Sequence, residues 1–242
     1  MPVGKLSKEL HLTPNPSPIG EGNKCAFTLA EVLITLVIIG VIAAITVPTL
    51  ITKYQKEQTV TRLKKAYSSL AQTRDRAIAD YGPVNTWSLG IVNNSDDTIN
   101  FLNKYVVPYM NVMKPPTTKN TGHWNATYYN LKGDKSTMGS KWARFYLNDG
   151  TSISCHINIS NEKLLCFIDV NGDKNPNKQG KDIFEIDYYI SSGLRPWGIW
   201  LTREQLVSSQ NQLHTCNKNC SGSGCAALIM KDGWRIADDY PW

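Results

Sequence analysis

The residues best suited to chemistry lie between Asp169 and Asp182, in the run DVNGDKNPNKQGKD, where side-chain oxygens recur at alternate positions. Calcium takes about six to eight hard oxygen ligands, and alternating Asp and Asn is how a short loop supplies them. Asp169, Asn171, Asp173, Asn175 and Asp182 are therefore candidate calcium ligands. The run is not an EF-hand, because no glycine directly follows Asp173 and no Glu closes the loop. An ordinary solvated turn uses the same residue types, since Asn, Asp, Gly and Pro all favour turns.

Two further groups stand out. Cys216, Cys220 and Cys225 cluster beside Gly222 and Gly224, but their Cys-x3-Cys-x4-Cys spacing lacks the paired Cys-x2-Cys of zinc sites. Glu31 is the one ionisable residue between Phe27 and Ile51. An acid within such an apolar stretch is costly in a membrane and marks a function with a partner. No catalytic constellation accompanies these groups: His11, His123, His156 and His214 have no companion Ser, Cys or acid motif, and the chain reads as a non-enzyme. Net charge is +6, or +5 without Lys5, Lys8, Lys24, Glu9 and Glu21, too diffuse over 242 residues to indicate a specific nucleic-acid partner.

These groups must be positioned by a simple succession of elements. Residues 1–26, rich in Pro and Gly and without apolar periodicity, read as an unstructured leader. From Val32 to Thr52 there is no charge over 21 residues, long enough to cross the ~30 Å hydrocarbon core of a bilayer. A cleaved signal peptide would have to use this run as its apolar region, and the run is too long and lacks a small-x-small exit. Beyond Pro48 the pattern becomes a stripe, with Val60, Leu63, Tyr67, Leu70, Ile78 and Tyr81 mostly three or four apart, up to Gly82-Pro83. One helix thus leaves the membrane and turns amphipathic. Residues 81–137 show little pattern beyond a short helix around Asp97–Val106 and loops around Pro108 and Pro115-Pro116.

Alternation then predicts strands at 141–147, 151–159, 164–170 and 183–190, with Asn148-Asp149-Gly150 and Ser160-Asn161 as hairpin turns. A second hairpin symmetric about Ser160-Asn161 sets Cys155 opposite Cys166 on the buried face, at a separation that suits a disulfide. One of Cys216 or Cys220 is expected to join Cys225. The tryptophans at 197, 200, 234 and 242, with Ala226–Met230, suggest a last hairpin with aromatic anchors.

The stretch Lys24-Cys25-Ala26-Phe27-Thr28-Leu29-Ala30-Glu31, followed by EVLITLVIIGVIAAI and Pro48, resembles the processing site of type IV prepilins and type II secretion pseudopilins. The resemblance covers residues 24 to about 55. It implies cleavage between Ala26 and Phe27 by prepilin peptidase, N-methylation of Phe27, and an assembly role for Glu31 as the fifth mature residue. Ala26 departs from the Gly that the family prefers before the cut. Loss of Cys25 with the leader leaves five cysteines, an odd number.

The implied architecture is α+β: leader 1–26, transmembrane helix 27–51, its amphipathic extension 52–81, and an antiparallel β-sheet head over 82–242. The Asp/Asn loop looks like the calcium loop that precedes a late strand in major pseudopilins. Basic residues flank both ends of the span and do not set its orientation. The resemblance instead implies a single pass in a bacterial inner membrane with a periplasmic head. Its implied partners are membrane lipid, the peptidase, an inner-membrane assembly platform, and copies of itself and other pilin-like subunits in a pilus or pseudopilus. The other function class is a membrane-anchored binding or adhesion domain that never polymerises, for which Glu31 would have no evident use.

Overall fold

A computed structural model describes residues 27–90, 94–118, 127–139, 141–208 and 215–242, so the leader 1–26 with Ala26 and Cys25, and also His123 and His214, lie outside the described residues. The chain divides into two units, Met1–Thr49 and Leu50–Trp242. Helix α1, Leu29–Tyr81, runs unbroken through Pro48. In the first unit it is apolar on every side, and none of its described residues is buried. This helix is long and apolar enough to cross a membrane.

In the second unit α1 acquires one face. Val60, Leu63, Ala66, Leu70, Thr73 and Ala77 are buried at steps of three and four, the spacing of a helix side that meets a core. Full burial of a side chain such as Leu63 contributes about 1.5–3 kcal/mol. Tyr81, expected on the same stripe, stays 43% exposed and meets Tyr105 edge-on. Gly82 and Pro83 then end the helix.

The stripe belongs to one apolar cluster with a six-stranded antiparallel sheet, ordered β1-β4-β5-β6-β7-β8. Its strands are β1 Val112–Thr118, β4 Ala143–Leu147, β5 Ser152–Asn158, β6 Lys163–Asp169, β7 Ile183–Tyr189 and β8 Gly193–Pro196. Phe145, Ile153, Cys155, Ile157, Leu164, Cys166, Ile168, Phe184 and Ile186 alternate onto the face that joins this cluster. Helix α2, Ser95–Tyr105, adds Phe101, Leu102 and Tyr105, and Trp87 stacks on Tyr105 at 4.4 Å. The β5–β6 pairing is symmetric about Ser160-Asn161, and β4 through β7 form the expected meander.

Two readings need correction. Pro115 and Pro116 lie in a strand, not a loop: β1 pairs with β4 with shifts of register between Val112 and Thr117. An edge strand tolerates prolines because their missing N–H groups need not serve a ladder. The apolar run after Cys225 is helix α4, Cys225–Lys231, which follows the short helix α3, Arg203–Val207, and is not a hairpin strand. Ala, Leu and Met favour helix, and a short apolar run does not distinguish the two by periodicity.

The other face of the sheet is also covered, not solvated. The hairpin of β2, Thr127–Tyr129, and β3, Lys135–Thr137, brings Tyr128 onto Phe167, and these with Met138 and Ile183 form a second apolar cluster flanked by Trp142. His156, on that face, is half-buried beside the Trp142 ring. Charged residues are buried here as well. Lys163 pairs with Asp187 at 2.5 Å, and the Tyr189 hydroxyl donates to the same carboxylate at 3.2 Å.

Glu185 stands two residues from Asp187 and is 5% exposed. Burial first, and the Asp187 charge second, push its carboxyl from 4.5 up to about 7. A folded chain that holds this proton more tightly than the unfolded one is most stable below about pH 4.5 and loses stability as pH rises to about 7. Glu185→Gln keeps the shape and removes the titration. Thermal unfolding of the detergent-solubilised protein at pH 5 and pH 8 should show the wild type losing on the order of 2–3 kcal/mol more than the variant. Identical losses in the two proteins would mean that Glu185 stays ionised in the fold.

Candidate functional site

At the amino-terminal end, helix α1 begins directly after Thr28, and Glu31 occupies the third helical position. The Thr28 N–H and hydroxyl both donate to Glu31 Oε2 at 2.9 Å, and the Glu31 N–H donates to Thr28 Oγ1 at 3.2 Å. This reciprocal pair is a capping box, which satisfies amides that the first turn leaves without partners. The Thr-x-x-Glu spacing was visible in the sequence as a helix-start signal. It gives Glu31 a use in a simple anchor too, so the acid alone does not separate a filament subunit from an anchor. Phe27, just before the cap, is 84% exposed.

The cysteines lie at two places in the head. Cys155 on β5 faces Cys166 on β6 with a Cα separation of 4.2 Å, and the two are disulfide-bonded. Cys216 is bonded to Cys225 at the start of α4. Cys220 is free and buried, and accepts a hydrogen bond from the Thr215 hydroxyl at 2.9 Å.

The acidic loop connects β6 to β7, and its base is closed by the Val170 N–H donating to the Asp182 carbonyl at 2.9 Å. Backbone bonds tie it to β2, from Tyr129 N to Asn177 O and from Gln179 N to Tyr129 O, each 2.8 Å. Arg62 of α1 donates to the Val170 carbonyl at 3.3 Å. The two loop glycines mark close approaches at positive φ. A Cβ on Gly172 would sit 2.6 Å from the Gly150 carbonyl oxygen, and one on Gly180 would sit 2.8 Å from Cys225 Sγ. The loop is thus wedged between the β4–β5 turn and the second disulfide.

Within it the five predicted ligands divide. Asp182 is buried and accepts from the N–H groups of Asn177 at 2.8 Å and Lys178 at 2.6 Å, and from Asn171 Nδ2 at 3.2 Å. Asn171 Nδ2 also reaches the Asn175 carbonyl at 3.3 Å, while Asn171 Oδ1 is buried with no partner among the described residues. Asp169 is buried and accepts from Asn171 N–H at 3.2 Å. Asp173 points elsewhere, to the Tyr146 hydroxyl at 3.0 Å and to Arg144 at 3.1 Å. The Asn175 side chain is exposed.

Arg144, on the covered face of β4, is the residue that sequence reasoning missed. Its Nη2 lies 3.4 Å from Asp169 and 3.1 Å from Asp173, and its Nε donates to Ser152 at 3.1 Å. Alternation sets it on the face of β4 opposite Phe145, and there it is a buried cation, 2% exposed. Burial first, and the Asp182 charge second, push the Asp169 carboxyl up to about 8, against the opposing pull of Arg144. Burial raises Asp182 as well, while the loop amides oppose it. Among the described residues no three His, Cys, Asp or Glu side chains converge as a metal group. A metal would therefore rest on amide and carbonyl oxygens beside two mutually repelling carboxylates, a donor set that suits a hard cation.

Comparison with known proteins divides the chain much as the fold does. The family model described as "Prokaryotic N-terminal methylation motif" matches residues 22–47. A second, described as "Family of unknown function (DUF6613)", matches residues 49–242. No curated protein and no solved structure matched the chain. The second match spans well over half of the sequence, and the first covers the capped start of α1. The chain therefore belongs to the DUF6613 family, and it carries at the head of its long helix the N-terminal cleavage and methylation segment of type IV pilin-like proteins.

Proposed function

We propose that this chain is a structural, non-enzymatic subunit of a type IV pilus or type II secretion pseudopilus, held before assembly as a single-pass protein with its head outside the cytoplasm. The observation that carries this reading is the amino-terminal half of α1. The methylation motif takes in the start of an apolar helix, and none of the described residues of that helix before Leu50 is buried. Such a surface requires lipid or other helices around it. The two disulfides support an oxidising compartment for the head. The capping role of Glu31, which gives the acid a use without assembly, keeps one second reading, a membrane-anchored binding or adhesion domain that never polymerises.

Glu31→Gln separates the two, because Gln keeps the capping box and loses the charge. In a filament of parallel helices the Glu31 carboxylate would be compensated by the amino group of a neighbouring Phe27, which exists only after cleavage beyond Ala26. Mass spectrometry of membrane-extracted protein should find N-methylated Phe27 as the first residue in wild type and variant alike. Crosslinking beside wild-type subunits should find the variant missing from filaments. A Glu31→Gln chain that assembles as well as wild type would leave the anchor reading standing.

The acidic loop, on our reading, takes one calcium ion through Asp169, Asn171 and Asp182 with the Asn175 carbonyl. Turning the Asn171 amide over would aim its oxygen at Asp182 and Asn175, a convergence of acceptors that suits a hard cation. Calcium should then raise the melting temperature over that in chelator, and Asn171→Ala should abolish the increment. Asp182→Asn should in addition cost about 1–3 kcal/mol in chelator, because its carboxylate holds loop amides with or without metal. Equal melting temperatures of the wild type in calcium and chelator would leave a self-sufficient turn.

A further inference from the structure

We infer that the base of the head carries a lysine and tryptophan surface that docks on anionic phospholipid headgroups while α1 is in the membrane. This rests on the anchored reading above and adds a partner to it. The uncharged run of α1 ends at Thr52, within the same unit as the head. Immediately beyond it come Lys53 and the 62% exposed Tyr54, then Lys56. A groove in this unit is lined on the helix side by Gln55, Gln58 and Arg62, and on the head side by Pro176, Lys181 and Trp242. At about 1.5 Å per residue these helix positions stand roughly 5–15 Å beyond Thr52. The headgroup layer on each side of the hydrocarbon core is about 5–8 Å deep, so Lys181 and Trp242 stand at or just above it.

The chemistry at that level suits phosphate. The Lys181 ammonium lies 5.8 Å over the Trp242 ring. Lys178 and Lys218 are close enough that both repel its charge, although burial is the larger influence that lowers its pKa. Lys174, on the same loop, is exposed. Among the described residues none of Lys174, Lys178, Lys181 and Lys218 forms an ion pair with a carboxylate. Of the acids beside them, Asp173 is held by Arg144 and Tyr146, and Asp182, whose charge attracts Lys181, is buried against the loop amides; Glu57 and Asp238 are exposed. Clustered lysines just beyond a membrane span, with an indole beside them, match the charge and amphipathy of an anionic interface.

The test uses full-length protein in nanodiscs of phosphatidylglycerol or of phosphatidylcholine, always with chelator so that no metal bridges the loop to lipid. Amide hydrogen exchange across residues 171–182 should be slower by about threefold or more in the anionic discs, and high salt should erase the difference. The combined variant Lys174→Gln, Lys178→Gln and Lys181→Gln should insert equally and show no dependence on lipid. Equal exchange in both discs for inserted wild-type protein would overturn the docking surface while leaving the anchor intact. Failure to enter discs at all would instead overturn the anchor. Inorganic phosphate that protects the loop equally in detergent micelles would reassign the lysines to a soluble anion and overturn the lipid partner.

Discussion

The structure depends on one helix having two kinds of surface. The first part of α1 is apolar around its whole circumference and none of its described residues is buried, whereas from Val60 onward it presents a narrow stripe to the sheet. Leu63, Ala66 and Leu70 close the cluster that contains Phe145, Ile153 and Leu164, so the helix serves the head as a core element rather than a tether. Apolar surface per residue decides this change: a helix apolar all round needs surroundings on every side, and a striped helix needs only one face covered.

The sheet answers with burial on both of its faces. One face takes the α1 stripe, and the other takes the β2–β3 hairpin and Trp142. That second cover removes water from residues that alternation would otherwise leave solvated. Lys163 finds Asp187, and Arg144 finds Asp169 and Asp173. Each pair offsets a desolvation cost that neither charge could bear alone, so such pairs specify an arrangement more than they stabilise it.

The acidic loop inherits its shape from these neighbours. Gly172 meets the β4–β5 turn, Gly180 meets Cys225, and the Tyr240 hydroxyl donates to the Gly180 carbonyl at 2.5 Å. A segment that reads as a flexible turn by composition is therefore held from three sides. Within it Asp169 and Asp182 are close enough that the Asp182 charge raises the Asp169 pKa, while Asp173 turns to Tyr146 and Arg144.

The sequence by itself determined the elements whose signals are local. The uncharged run from Val32 to Thr52, the stripe from Val60, the Gly82-Pro83 stop and the strand alternation with its turn at Ser160-Asn161 all follow from neighbours within a few residues. The Thr28–Glu31 cap was equally local, and its reciprocal hydrogen bonds are what the spacing permits. Only the tertiary structure decided that β1 accepts Pro115 and Pro116 as an edge strand, and that the run after Cys225 coils into α4. Only it placed Arg144 among the loop carboxylates and turned Asp173 away from Asn171 and Asp182. These outcomes depend on what covers a residue, and the cover arrives from segments tens of positions away in the chain. Local periodicity carries no information about such a partner.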